Sequence, residues 1–112
     1  MDGRVTIKKN SDFRRMYAKG KSSVSSFLVV YCRRNHLDRN RLGYTVSAKL
    51  GKAVCRNRIR RRLREIYRLN SSRIKNGYDI IIVARKRSVN ADYQKMNDAF
   101  LRCCDELEIL QK

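Results

Sequence analysis

Three kinds of side chain could do chemistry here: those that hold a metal, those that carry a proton and those that neutralise phosphate. Only the third kind is abundant. Residues 51–68, GKAVCRNRIRRRLREIYR, set seven arginines and a lysine against one acid, Glu65. A guanidinium fork binds phosphate bidentately and stacks on bases, so arginine in this quantity points to nucleic acid. The other reactive types do not assemble. His36 stands alone in the charged loop RRNHLDRNR and reads as solvated, neither ligand nor general base. Cys32, Cys55, Cys103 and Cys104 show no C-x-x-C spacing, and Cys55 and Cys103 fall where helix-facing apolar residues are wanted, so they read as buried reduced thiols. No carboxylate pair or nucleophile–base set can be built, and no catalytic and no metal-binding residue is assigned. GKSS at Gly20 to Ser23 is no phosphate loop, because the glycine needed five residues earlier is replaced by Arg15.

A helix must position the arginines. At 100° per residue Cys55, Ile59, Leu63 and Ile66 share one narrow apolar arc with Tyr67 at its edge, so sheet packing from behind anchors the segment. Asn57, Arg61, Arg64 and Arg68 form a parallel polar stripe flanked by Arg60 and Arg58, and Glu65 can pair weakly with Arg61 or Arg68. The bland alternative is a solvated face. Solvated faces mix signs, however, and this one is nearly unmixed in a chain of 28 Lys+Arg against 10 Asp+Glu, net +18.

That charge calls for a polyanionic partner, and nucleic acid comes first because neutralised phosphates release counterions. A membrane is the weaker candidate: no run approaches the length of a spanning helix, and MDGRVTIKKN lacks a signal peptide's apolar region, so the chain is expected to be cytoplasmic. With 112 residues, one domain over 1–112 is expected.

The remaining elements follow from pattern. Asn10 or Ser11 can cap a short helix over roughly 11–19, with Asp12 in its first turn and Phe13, Met16 and Tyr17 on one face before Gly20. A brief extended piece lies near Ser22 to Ser25, and a firm strand runs from Phe27 to about Arg33, with Phe27, Val29 and Tyr31 on one face and Leu28, Val30 and Cys32 on the other. Leu42 to Ser47 alternates as the next strand, and the two are expected to pair as an antiparallel hairpin. The arginine helix covers about Val54 to Asn70. Tyr78 to Ala84, YDIIIVA, reads as an interior strand covered on both faces. Asn90 can cap a last helix in which Tyr93, Met96, Phe100, Cys103, Leu107 and Leu110 keep a three-four spacing, widened by Leu101 and Cys104. The order αβββαβα is that of an α+β sandwich with one mostly antiparallel sheet.

Val46 to Glu65, VSAKLGKAVCRNRIRRRLRE, resembles the signature of the protein subunit of bacterial ribonuclease P, in which a strand ending V-S-x-K, a Gly and an A-V pair lead into an R-N-R helix. NSDFRRMY looks like that family's first helix, the run from Gly20 to the LVVY ending at Tyr31 like its second strand, and GYDIIIVAR like its last, so nearly the whole chain is covered. The resemblance implies a small mixed four-stranded sheet of ribosomal-protein-like type, with a left-handed βαβ crossover against the usual right-handed preference. It also implies a ribonucleoprotein that removes the 5′ leader from precursor tRNA. Mg2+ is then required by the holoenzyme and held by the RNA subunit, the protein binds no cofactor of its own, and no obligate protein partner is needed.

By the same resemblance, contacts to the RNA subunit fall on Lys49, Arg56, Asn57, Arg58, Arg60, Arg61, Arg64 and Arg68. The single-stranded leader falls in a cleft between the first helix, the sheet face and the R-N-R helix, walled by Phe13, Tyr17, Val29, Tyr31 and Thr45. Stacking on aromatic rings tolerates any base while nearby cations follow the backbone. For Phe13 and Tyr17 the alternative is plain core packing. Ala48 stands where many relatives carry lysine and Lys52 where an uncharged residue is frequent. Arg62 borders the apolar stripe and receives no RNA contact. Two rivals remain: a major-groove DNA reader, disfavoured because a strand and not a helix precedes the arginine helix, and a small ribosomal protein, separated only by the motif and the aromatic cleft.

Overall fold

The computed structural model describes residues 5–7 and 10–111. In chain order the elements are strand β1 (Val5–Thr6), helix α1 (Asn10–Lys19), strands β2 (Lys21–Val24), β3 (Leu28–Arg34) and β4 (Arg41–Thr45), helix α2 (Ala53–Asn70), strand β5 (Tyr78–Ala84) and helix α3 (Tyr93–Glu106). The four strands β2 to β5 form the expected mixed sheet, and β1 extends it at one edge, giving the order β1-β4-β5-β3-β2. Short 3₁₀ turns at Ala48–Leu50, Ser71–Arg73 and Lys86–Asn90 join the larger pieces.

The expected β3–β4 hairpin does not form. β5 lies between them, antiparallel to β3 and parallel to β4, with Tyr31 opposite Ile81 and Gly43 opposite the same residue on the other side. The cause is the composition of β5: Ile80, Ile81 and Ile82 are all fully buried, which needs cover on both faces and partners on both edges. The β3–β4 loop is tied to β5 instead. The Asn35 N–H donates to the Gly77 carbonyl at 2.9 Å, and the Asn40 side-chain oxygen accepts from the Tyr78 N–H at 2.9 Å. Parallel β4 and β5 are joined through α2, so the arginine helix is itself the crossover connection.

Alternation in the strands separates two faces. Leu28, Val30, Cys32, Leu42, Ile80 and Ile82 pack with Ile59, Leu63 and Ile66 of α2 and Met96, Phe100, Cys103 and Cys104 of α3 into the main core. On the other face Ile81 packs with Ile7 and Met16, with Phe13, Tyr31 and Val83 partly buried around them, under α1 alone. The last helix starts three residues later than its expected cap: Asn90 ends a 3₁₀ turn and Asp92 occupies the N-cap position without a side-chain bond. It ends at Glu106, and Leu110 instead bridges to Ile74 beyond it.

Candidate nucleic-acid interface

The approach to α2 is built from local hydrogen bonds. Val46 is buried after the end of β4, and the Ser47 hydroxyl accepts from the Lys49 N–H at 3.2 Å, opening the turn that carries the exposed Lys49. Gly51 follows at φ 135°, a conformation strained for residues with a Cβ, and its carbonyl accepts from Arg56 Nε at 3.2 Å. The first turn of α2 has no acid, so the positive end of the helix dipole is left uncompensated beside Lys52 and Arg56.

Ile59, Leu63 and Ile66 are at most 1% exposed, as the apolar arc requires, with Cys55 and Tyr67 half-buried beside them. Asn57, Arg58, Arg61, Arg64 and Arg68 are exposed, and Arg56 and Arg60 are half-exposed. Their intramolecular partners are few. Arg60 donates to the Asn57 side-chain oxygen at 3.1 Å, and Arg64 lies 5.9 Å from the centre of the Tyr44 ring. Arg68 takes Glu65 through two bonds of 2.9 and 2.8 Å, and that hydrogen bond holds the Glu65 carboxyl below its usual range. Glu65 does not reach Arg61: among the described residues neither Arg58 nor Arg61 has an ion-pair partner. Arg62 turns inward and donates to the Ala91 carbonyl at 2.9 Å, tying α2 to the segment before α3.

The second group of predicted residues meets on the α1 face. The Tyr17 and Tyr31 rings stand edge to face with centroids 4.9 Å apart, Phe13 follows at 6.4 Å from Tyr17, and the Tyr17 hydroxyl hydrogen-bonds the Thr45 hydroxyl at 2.9 Å. Tyr17 is 41% exposed, too open for a core residue, whereas Phe13 is half-buried and packs over the sheet. Val29 lies one row further along the same face. Phe13, Tyr17, Val29, Tyr31 and Thr45 are therefore brought together, but α2 is not a wall of this cleft, since its apolar side packs on the reverse face. A helix with one apolar stripe covers only one face of a sheet, and α1 already occupies the other. The two surfaces approach each other at the end of β4, where Tyr44 lies under Arg64 and the next residue, Thr45, bonds Tyr17.

Two cleft residues escaped the sequence reading. Val83 is half-buried between Thr45 and Val29 in register, completing a row across β4, β5 and β3. Gly43 lies under Phe13, where a Cβ would come 2.9 Å from the ring tip and push the ring from its seat. Register is the signal that finds both. Below them, Arg41 grips Asp79 through Nε at 2.7 Å and through Nη2, and the Asn35 side chain donates to Asp79 at 3.0 Å. Burial pushes the Asp79 carboxyl up, but the bonds from Arg41 and Asn35 and the charges of Arg41 and Arg33 outweigh it and hold the carboxyl below its ordinary value.

The four cysteines are free thiols, three of them buried. Burial, with Cys103 and Cys32 beside it, pushes the Cys104 thiol up to about 12. Among the described residues no three His, Cys, Asp or Glu side chains gather closely enough to hold a metal ion, and no helix is long and apolar enough to cross a membrane.

With this geometry in hand, comparison with known proteins is consistent across the chain. The sequence profile of the family described as Ribonuclease P matches residues 1–108. The "Ribonuclease P protein component" of Alkaliphilus oremlandii is 43% identical over 104 residues, 93% of this chain and 91% of that protein, and that of Natranaerobius thermophilus is 43% identical over 108 residues, 96% and 94%. The solved RNase P protein of Staphylococcus aureus superposes with a TM-score of 0.85 at 36% identity, covering 95% of this chain and 97% of its own. That of Thermotoga maritima gives 0.81 at 34% identity, covering 88% and 94%.

Proposed function

The chain belongs to the ribonuclease P protein family, a subunit of the ribonucleoprotein endoribonuclease of tRNA processing, and from that premise we propose how its two surfaces divide the work. The outer side of α2 with Lys49, Arg56, Asn57, Arg58, Arg60, Arg61, Arg64 and Arg68 grips the RNA subunit. The α1 cleft, Phe13, Tyr17, Val29, Tyr31 and Thr45 with Val83 beneath, receives the single-stranded 5′ leader of precursor tRNA. Mg2+ held by the RNA supplies the hydrolytic chemistry. The polypeptide supplies binding and orientation, acts in the cytoplasm and requires no other protein.

The observation that supports this division is the placement of the two residue sets on opposite faces of one sheet, so that one RNA can be held while another is threaded. Arg58 and Arg61, without an ion-pair partner among the described residues, favour phosphate, because a guanidinium without a carboxylate is open to a bidentate anion. Tyr17 and Tyr31 present ring edges and faces to an uncovered strip, as a sequence-tolerant stacking surface must.

The test is cleavage at low Mg2+ by reconstituted holoenzyme, with protein added or withheld, on precursor tRNA with and without a leader. The protein is expected to tighten leader-bearing substrate selectively, and equal stimulation of both substrates removes the cleft reading. Changing Arg60, Arg61 and Arg64 together to alanine is expected to weaken RNA-subunit binding and flatten its salt dependence. An unchanged slope returns that stripe to ordinary solvated surface.

A further inference from the structure

One charged concavity belongs to neither surface. A cavity of about 430 Å³ is lined by Lys19, Lys21, Arg33, Arg34, Tyr78 and Glu108, with Cys32 also on its wall. It lies at the Arg34–Tyr78 end of the β3–β5 ladder, opposite the Leu28–Ala84 end, and six residue steps of strand separate the two by roughly 20 Å. It also sits on the β3–β2 side of the sheet, whereas α2 packs against β4.

Its lining is unusual in three respects. Three cations, Lys19 at the end of α1, Lys21 at the start of β2 and Arg34 at the end of β3, line it, and among the described residues none of them has an ion-pair partner. Converging unpaired cations in a concave wall focus potential and draw an anion. The Arg34 guanidinium sits 5.7 Å from the centre of the Tyr78 ring, which makes a flat platform of the kind bases stack on. One acidic residue, Glu108, held at φ 60°, lines the same space. A bare phosphate would use only the cations. The volume is within the range of small-molecule sites, about 300 to 1,000 Å³.

We propose that this cavity binds a nucleotide unit: phosphate on Lys19 and Lys21, the base against the Arg34–Tyr78 platform, and a ribose hydroxyl or base amine donating to Glu108. The unit is either part of an RNA strand or a free mononucleotide. The residues of this site are shared with neither the leader cleft nor the α2 stripe.

The experiment follows the amide resonances of Arg34, Tyr78 and Glu108 in the full chain at near-physiological salt. Adenosine 5′-monophosphate is titrated in one arm, a short single-stranded oligoribonucleotide in a second and inorganic phosphate in a third. Saturable shifts are expected with a nucleotide. Affinity should fall about fivefold or more in Lys21→Ala/Arg34→Ala and in Lys19→Glu, and stay unchanged in Lys95→Ala on the exposed side of α3. Lys19 is exposed at the end of α1, so its variant keeps the fold and keeps the test decisive. Saturation by the mononucleotide identifies a free-nucleotide site and saturation by the oligonucleotide alone an RNA-strand site; both support the proposal. No saturation by either, phosphate binding as tightly as nucleotide, or wild-type affinity in Lys19→Glu overturns it.

Discussion

The two faces of the sheet are made from alternate residues of the same strands, yet they end in different environments. Leu28, Val30, Cys32, Ile80 and Ile82 lie at 0–3% exposure beneath α2 and α3, while Val29, Tyr31 and Val83 on the opposite face remain half-exposed although Ile81 among them is sealed. Apolar content does not separate the faces; coverage does. Two helices close one side, and the ten-residue α1 spans only part of the other. An apolar strip left open in a chain of net +18 suits a ligand that is flat and apolar on its faces and anionic along its backbone, which describes unpaired RNA.

Changes on the closed face should be the costliest and should strike stability. Leu63→Ala is expected to lower unfolding free energy by about 2 to 5 kcal/mol in denaturant titration, since Leu63 is fully buried. A loss below 1 kcal/mol would erase the contrast between the faces. Alkali probes the same core. The folded-state pKa of Cys104 is raised from 9.0 to about 12, so stability is fully present below pH 9 and is lost as pH climbs from 9 toward 12, by on the order of 4 kcal/mol. Unfolding free energy measured across that window in wild type and Cys104→Ala should show the flatter curve in the variant.

On the open face the effect should move from stability to substrate. Tyr31→Ala is expected to weaken leader-bearing precursor by about 1 to 3 kcal/mol in holoenzyme binding while RNA-subunit assembly survives. If assembly fails as well, Tyr31 belongs to the core and the faces are alike. The smallest change is Tyr17→Phe, which keeps the ring and removes the exposed hydrogen bond to Thr45. It should cost no more than about 1 kcal/mol in thermal unfolding and leave leader binding nearly intact.

Local pattern carried the helices and individual strands far. Cys55, Ile59, Leu63 and Ile66 recur at the spacing of one helical stripe, and YDIIIVA marks Tyr78–Ala84 to the residue. Pairing was not legible. Nothing within Phe27–Arg33 or Leu42–Ser47 announces that a later strand will part them, because the deciding bonds, Asn40 with Tyr78 and Asn35 with Gly77, join residues distant in the chain. Val5–Thr6 is too short to show alternation at all. The site divides the same way. Phe13, Tyr17 and Tyr31 declare themselves by type, whereas Gly43 and Val83 matter only through the strands they come to face, and Arg62 is set apart from its neighbours by a carbonyl at Ala91.

The position of β5 between β3 and β4 also governs the order in which a growing polypeptide can fold. Until Tyr78–Ala84 has been synthesised, β3 and β4 lack the strand that joins them, and the guanidinium groups of residues 51–68 have already been made. For that interval the chain carries this charge with no completed sheet behind it, and the last strand closes the sheet on which the arginine helix packs.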